Sequence, residues 1–548
     1  MAAPDRAADG MVCLDASRTE VGTRRPGGRR LVEQSLLAPG VPFSWPRGSP
    51  PRNFITPRQC LRIEGFASLS YISAGPWNIP AMSVAPTLAQ PVLIASAPPP
   101  EKAPSLLKQI FDPAPNQFEV IPRIAYEQPI WEWKTIFGHM FVISDPIGVK
   151  RVLLDNVDNY PKTEMETKML GAIVGEGLLV SQGEKWKSHR RLMSPSFDFK
   201  SIVSYSPAMV AAAESFAESW SAKDNDRVVD IADEMTRLTL KVISNTMFSA
   251  DGALLGELVD NSLRRMDNAI DFGVLDILPL VGPPRMKRKM ARIQANFMNM
   301  DATMQKLIRA RETAQGQAQR DLLDRLIAAR DGETGVRLSN DEVRDEVVII
   351  FLAGHDTTAL ALTYTWYLLS EHPHVEAKLH EELARVLGGR PPKYDDLDNL
   401  PYTKMVIEES MRLYPPAPGI SNRAVLEDDV VCGVKVPKGA QVGIMPWLLH
   451  RHRTLWDNPE KFDPERFSPE RSQGRHRFAY LPFGGGPRVC IGMALAMAEA
   501  QLILATLAQR FRLKLIPGQK IVLQHRITMR PRDGIRMALE PRGSSAPA

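Results

Sequence analysis

The sequence is short of cysteine and of unbroken apolar runs near its start, and both shortages narrow what the chain can be. Four cysteines (Cys13, Cys60, Cys432 and Cys490) in 548 residues are too few and too scattered for a disulfide framework. A reducing compartment follows, with the cytoplasm as the expected location. Residues 65–100 carry no charge, yet Pro76, Pro80, Pro86, Pro91 and Pro98-Pro99-Pro100 cut them too often for a continuous apolar helix of about 18 residues. This argues against a transmembrane anchor and against a standard signal peptide. Lysine is absent up to Arg62, where ten arginines stand among many Gly and Pro with no helical or strand period. Residues 1–104 therefore read as a disordered extension, with Met82 as the alternative true start and a transit-like segment as a further reading. No zinc spacing, Walker loop or aromatic-basic signature is present, so no nucleic-acid partner is expected. The net charge of +5 is spread over many segments, and the densest basic run, 285–289, reads as a solvated helix face.

What is present is a chain with an ample core, 44% hydrophobic and 24% charged, and without internal repeats. Two strands are expected early, at Phe118-Glu119-Val120-Ile121 and at 134–143 with a turn at Gly138. Asp145-Pro146 predicts a helix start, with Asp145 as N-cap. From about 147 to 387 the pattern is nearly all helical, and β signal returns at 419–445, where 430–439 reads as a hairpin. The fold class expected is mainly α with a small β-rich subregion, in a single large domain over 105–540 followed by a disordered tail at 541–548. Ser339-Asn340-Asp341-Glu342 is a capping-box arrangement, and the helix it opens runs to about Glu371, where His372-Pro373 stops it. Such a helix is roughly 48 Å long and, being apolar nearly all round at its centre, should be buried.

Residues 483–492 read Phe-Gly-Gly-Gly-Pro-Arg-Val-Cys-Ile-Gly and run straight into an apolar stretch of good helix formers. A thiolate at Cys490 would gain from the helix N-terminal dipole and from backbone N–H groups that a glycine-rich loop aims at sulfur. Those are the conditions for an axial thiolate on haem iron. The competing reading is an ordinary buried cysteine in a glycine loop. Phe483, Gly486, Arg488, Cys490 and Gly492 match the signature F-x-x-G-x-R-x-C-x-G, and in this the chain resembles the cytochrome P-450 superfamily. The resemblance runs from about 105 to 540 and implies that family's fold, with the long central helix crossing over the haem. It places Cys490 as the metal ligand, with Phe483 limiting water on the sulfur side and Gly484 and Gly492 in the cofactor loop.

Four further motifs follow the family's order. Ala353-Gly354-His355-Asp356-Thr357-Thr358 lies in the middle of the buried helix, where a Gly costs about 1 kcal/mol and an uncompensated carboxylate more. A local break in the helix ladder is expected there, with Thr bonding a carbonyl one turn back. The competing reading is a kink whose polar groups satisfy one another. By resemblance Asp356 and Thr357 relay protons toward dioxygen and Gly354 leaves space beside it, whereas His355 reads as structural. Glu409 and Arg412, followed by 413–416 and later by Pro464-Glu465-Arg466-Phe467, imply a structural triad of Glu409, Arg412 and Arg466. Trp186 and Arg190 stand one helical turn apart and, with Arg488 and Arg423, are the implied partners of the haem propionates.

The function implied is a haem-thiolate monooxygenase that inserts one atom of O₂ into an apolar substrate, using haem b and electrons ultimately from NAD(P)H. Alternatives are a peroxide-dependent peroxygenase and a non-enzymatic haem-thiolate sensor; the acid–Thr pair argues against the first. About 58 residues follow Cys490, so no fused reductase is expected, and a separate ferredoxin, flavodoxin or reductase is the expected partner of a monomeric chain. Lys185, Lys187, Arg191, Arg475 and Arg477 are candidates for its basic docking face. The segment 175–186, with 193–197 after it, is similar to fatty-acid-hydroxylating branches and their soluble bacterial relatives. Fatty acid is the first substrate class this implies and terpenoid the second. Phe351, Ala353, Thr358 and the 417–420 turn are the expected pocket lining.

Overall fold

The computed structural model describes residues 99–103, 117–135, 138–222, 227–249, 282–313, 321–525 and 527–542. All of them fall in a compact unit spanning Pro86–Ala548. Met82 and residues 1–98 lie outside the described residues, as does the chain beyond Arg542.

A hairpin opens the fold: β1 (Ile130–Thr135) pairs antiparallel with β2 (Gly138–Ile143). The strand expected at 134–143 with its turn at Gly138 spans the end of β1 and all of β2, and the first arm begins four residues earlier, at Ile130. Gly138, at φ +114°, accounts for the turn. The strand expected at 118–121 is instead a 3₁₀ turn, Gln117–Val120. Its Phe118 packs on the Trp447 and His525 rings, so a side-chain contact and not strand pairing fixes this segment. Helix α1 (Pro146–Lys150) starts as expected: the Asp145 carboxylate accepts from the Ile147 and Gly148 N–H groups.

The helical body follows as α2 (Glu164–Val174), α3 (Gly183–Met193), α4 (Phe199–Ser221), β3 (Val228–Asp230) and α5 (Ile231–Phe248). After these come α6 (Gly282–Thr313), α7 (Leu322–Ala328), α8 (Asn340–Glu371), α9 (Pro373–Leu387) and α10 (Pro401–Leu413). In α6 the basic run at 285–289 is largely exposed, a solvated face as read. Helix α8 is the central one. Ser339 and Glu342 form the capping box, and the apolar surface of α8 packs along α5, α10 and the C-terminal helix. Thr363 and Thr365 return their hydroxyls to carbonyls four residues back, which lets polar side chains sit in a closed core. The helix is continuous from Asn340 to Glu371, so the expected break at 353–358 does not occur.

The smaller β region holds β4 (Ile420–Ala424), β5 (Asp429–Val431), β6 (Val434–Val436) and β7 (Gln441–Ile444). The sheet order is β1-β2-β7-β4, with β7 parallel to β2. The β5–β6 hairpin turns on Cys432 and Gly433, both at positive φ (51° and 76°), the requirement of a tight two-residue loop. Helix α11 (Met493–Arg510) then leads into β8 (Phe511–Leu515), β9 (Leu523–His525), β10 (Met529–Pro531) and β11 (Arg536–Pro541). Ordered pairing continues past the boundary expected at 540: β11 includes Pro541, and the Arg542 N–H donates to the Arg510 carbonyl.

Candidate functional site

Glycines give the Cys490 loop its shape. Gly484 and Gly486 hold φ of +71° and +69°. A Cβ on Gly486 would stand 1.9 Å from the Leu153 carbonyl oxygen, so only glycine allows the two backbones to meet. The Cys490 N–H donates to the Phe483 carbonyl at 2.9 Å and ties the loop's ends together. Phe483 itself packs, half-buried, on the main core. Helix α11 begins three residues after the cysteine with Gly492 as its cap. Burial pushes the Cys490 thiol up, while the Gly492 backbone donor and the Arg190 cation oppose it. The cysteine is nevertheless accessible to solvent.

Around that loop the predicted cations assemble. Arg488 stacks over the Trp186 ring at 4.5 Å and donates to the Ser181 carbonyl at 3.0 Å. Arg190 donates to the Val489 carbonyl at 2.8 Å. Arg423, on β4, is 4% exposed, and its Nε has no hydrogen-bond partner among the described residues. Lys162, which sequence reasoning missed, is bridged to Arg423 through the backbone and donates to the Leu179 carbonyl. Burial, followed by Arg423, lowers Arg488 to about 10. Burial, Arg488 and Arg423 together lower Lys162 to about 8, with Glu166 opposing. Buried cations that repel one another are the complement of an anionic ligand. The cradle fits a group with two carboxylates, and the cysteine is a soft donor suited to iron, so the residues present fit haem. No local pattern marks Lys162; the β-bridge to a residue 261 positions away brings it here.

On α8, Ala353 is exposed and Thr357 half-exposed, one turn apart on a helix otherwise closed at its centre. The Thr357 hydroxyl donates to the Ala353 carbonyl at 2.7 Å, as expected. Asp356 is buried and accepts from the Arg530 guanidinium of β10 at 2.6 Å, a partner no sequence motif indicates. Gly354 does not open toward the Ala353–Thr357 face: a Cβ there would meet Ile243 of α5 at 3.3 Å, so the glycine serves close helix packing. His355 is structural, its ring on the Phe351 carbonyl and its own carbonyl accepting from Thr239. Two expected lining residues turn elsewhere. Phe351 packs on Phe248 in the core, and buried Thr358 lies beside Glu499 of α11, whose carboxyl burial pushes up to about 8. The 417–420 turn keeps an exposed Gly419.

Glu409, Arg412 and Arg466 form one sealed unit. Both Glu409 oxygens accept from Arg412 (2.7 and 2.8 Å), and Arg466 Nε donates to Oε1 at 3.3 Å. Arg412 spends its remaining donors on the His450, Pro459 and Lys461 carbonyls. Three of the five candidate docking cations are ion-paired, whereas Arg475 and Arg477 rest on aromatic rings that leave their charge in place. Lys185 pairs with Glu176, Lys187 with Glu184 and Arg191 with Asp331, while Arg475 stacks on Trp456 and Phe467 and Arg477 on Phe478.

Such a fold and loop define a haem-thiolate protein, and comparison with known proteins narrows the class. The cytochrome P450 family model matches residues 98–536. Cyclooctatin synthase of Streptomyces melanosporofaciens is 37% identical, over 68% of this chain and 80% of its own. Pentalenene oxygenase of Streptomyces avermitilis is 34% identical, over 64% and 76%. The crystal structure of the cytochrome P450DA heme domain aligns with a TM-score of 0.68 at 28% identity, covering 76% of this chain and 90% of that one. The chain belongs to the cytochrome P450 family and is a haem-dependent monooxygenase. Among the described residues, the one helix long and apolar enough to cross a membrane is Asn340–Glu371, whose most apolar window is 78% buried in the fold.

Proposed function

We propose that the chain hydroxylates a terpenoid substrate, with fatty acids as the competing class. The observation that carries this is the 34% identity to a relative named for the oxidation of pentalenene. Haem, when bound, supplies the O₂ activation and the oxidising power. The chain supplies the rest. Cys490 would hold the haem iron through its sulfur; burial raises its thiol, and the Gly492 donor and the Arg190 cation offset part of that rise. Arg423, Arg488, Lys162 and the Trp186–Arg190 turn hold the cofactor's carboxylates. On the accessible face of α8 the Thr357 Oγ1 holds a proton, and Asp356 resupplies it. Electrons come ultimately from NAD(P)H through a separate ferredoxin, flavodoxin or reductase, and the chain works as a cytoplasmic monomer.

A red-shifted Soret band of the reduced CO adduct, lost in Cys490→Ser, tests the thiolate. A screen following the haem spin-state shift tests the substrate: cyclic terpene hydrocarbons and alcohols should shift it at lower concentration than fatty acids, and the reverse order would move the assignment. Thr357→Ala should keep the CO band but divert electrons to peroxide, lowering product per electron about tenfold. Turnover with peroxide alone, and none with O₂ and electron donors, would replace the monooxygenase reading with the peroxygenase one.

A further inference from the structure

The N-terminal half of α8 carries three carboxylates on one face, Glu342, Asp345 and Glu346, and the last two grip a segment of backbone. Asp345 accepts from the Glu176 N–H and Glu346 from the Leu178 N–H, each at 2.8 Å. Glycines make this approach possible: a Cβ on Gly175 would fall 2.2 Å from the Asp345 carboxylate, and one on Gly177 would fall 2.6 Å from Ile349. The same Glu346 oxygen is also 2.6 Å from Nδ1 of His189, on α3, whose Nε2 lies 3.3 Å from Glu342. His189 and Glu346 are 3% and 0% exposed. Beyond Leu178 the segment offers its Leu179 carbonyl to Lys162 and its Ser181 carbonyl to Arg488.

We propose that His189 is a positioning residue for the haem edge: through Glu346 it holds the 176–181 segment, and through that segment it sets Lys162 and Arg488. His189 touches neither cation. Without its ring, Glu346 is a fully buried carboxylate left with the Leu178 amide, an arrangement too costly to persist. Glu346 then shifts away, the Leu178 amide loses its acceptor, and the two carbonyls lose their fixed positions. The part of this that concerns haem rests on the cofactor reading above.

The test uses the full chain with His189→Gln, Lys162→Met and the double variant. Amide exchange at 176–181 should quicken about tenfold in His189→Gln, while α9 keeps its protection. Haem transfer to an excess of apomyoglobin should also quicken about tenfold, and Lys162→Met should add little once His189 is replaced. Unchanged exchange at 176–181, an equal rise across α8 and α9, or additive effects of the two variants would each overturn the proposal. If His189→Gln does not fold, Glu346→Ala, which removes the Leu178 acceptor together with the buried charge, must produce the same local loosening. The exchange arm needs no haem, so failure of the cofactor reading alters only the transfer arm.

Discussion

Two buried groups of arginines in this chain have opposite electrostatics. Around Glu409, the guanidinium groups of Arg412 and Arg466 share one carboxylate and a set of carbonyls, so their N–H donors find acceptors within the chain. Around Arg423, the neighbours are Arg488, Lys162 and the acid Glu166; the Arg423 Nε has no partner among the described residues, and the cations depress Arg488 and Lys162. The first arrangement is scaffold, complete when the chain folds. The second is the one we propose the cofactor's carboxylates complete. The difference shows that burial of an arginine says little about its role until its counter-charge is located.

The largest effect should come from making the balanced group resemble the unbalanced one. Glu409→Ala leaves two buried guanidinium groups without their acid, at about 3–5 kcal/mol, a large share of a typical total of about 5–15. Soluble yield and the reduced-CO band should both nearly vanish; a normal denaturation midpoint would dissolve the distinction. Glu499 adds a third solution, in which a proton answers the charge. Its folded carboxyl titrates near 8, above the unfolded value, so the native state retains a proton that the unfolded state releases. Stability should therefore decline as pH rises between about 4 and 8, by up to roughly 1.4 kcal/mol per pH unit, and Glu499→Gln should flatten that slope in urea titrations.

Arg423→Leu sharpens the comparison from the other side. Removing an unanswered buried cation should leave the haem-free chain as stable as before, or more so, while haem dissociates about ten- to a hundredfold faster. Parallel thermal melts and haem-transfer rates check both signs. The smallest change is Glu166→Gln, which keeps an acceptor for the Asn422 amide but removes the acid acting on Lys162 and Arg423. Lys162 should then titrate below about 8, with haem-free stability changed by less than about 1 kcal/mol.

Much of this was legible in the chain because its determinants are local. The capping box at Ser339, the Asp145 cap and the Glu409–Arg412 pair each lie within one helical turn, where residue spacing dictates geometry. The glycines of the Cys490 loop show in the sequence for a similar reason, since positive φ selects them. Long-range partners were not legible. Arg530 reaches Asp356 across 174 positions and Glu346 meets His189 across 157, and no periodicity links them. Phe118 was misread as strand because its conformation follows from rings far along the chain. Gly354 was assigned to open space because the sequence does not reveal that Ile243 of α5 packs against it.

By itself the sequence determined the kind of protein: a cysteine in a glycine loop at a helix start, a capped apolar helix with Asp356 and Thr357 at its centre, and the acid–arginine pair of the scaffold. Each is a short pattern whose chemistry depends on neighbours a few residues away. The tertiary structure alone decided which donors find acceptors, that Asp356 is held by Arg530, and that Lys162 lies among Arg423 and Arg488. Electrostatic partners are chosen by distance in space and by the low dielectric of the folded interior, and neither quantity exists until the chain has packed.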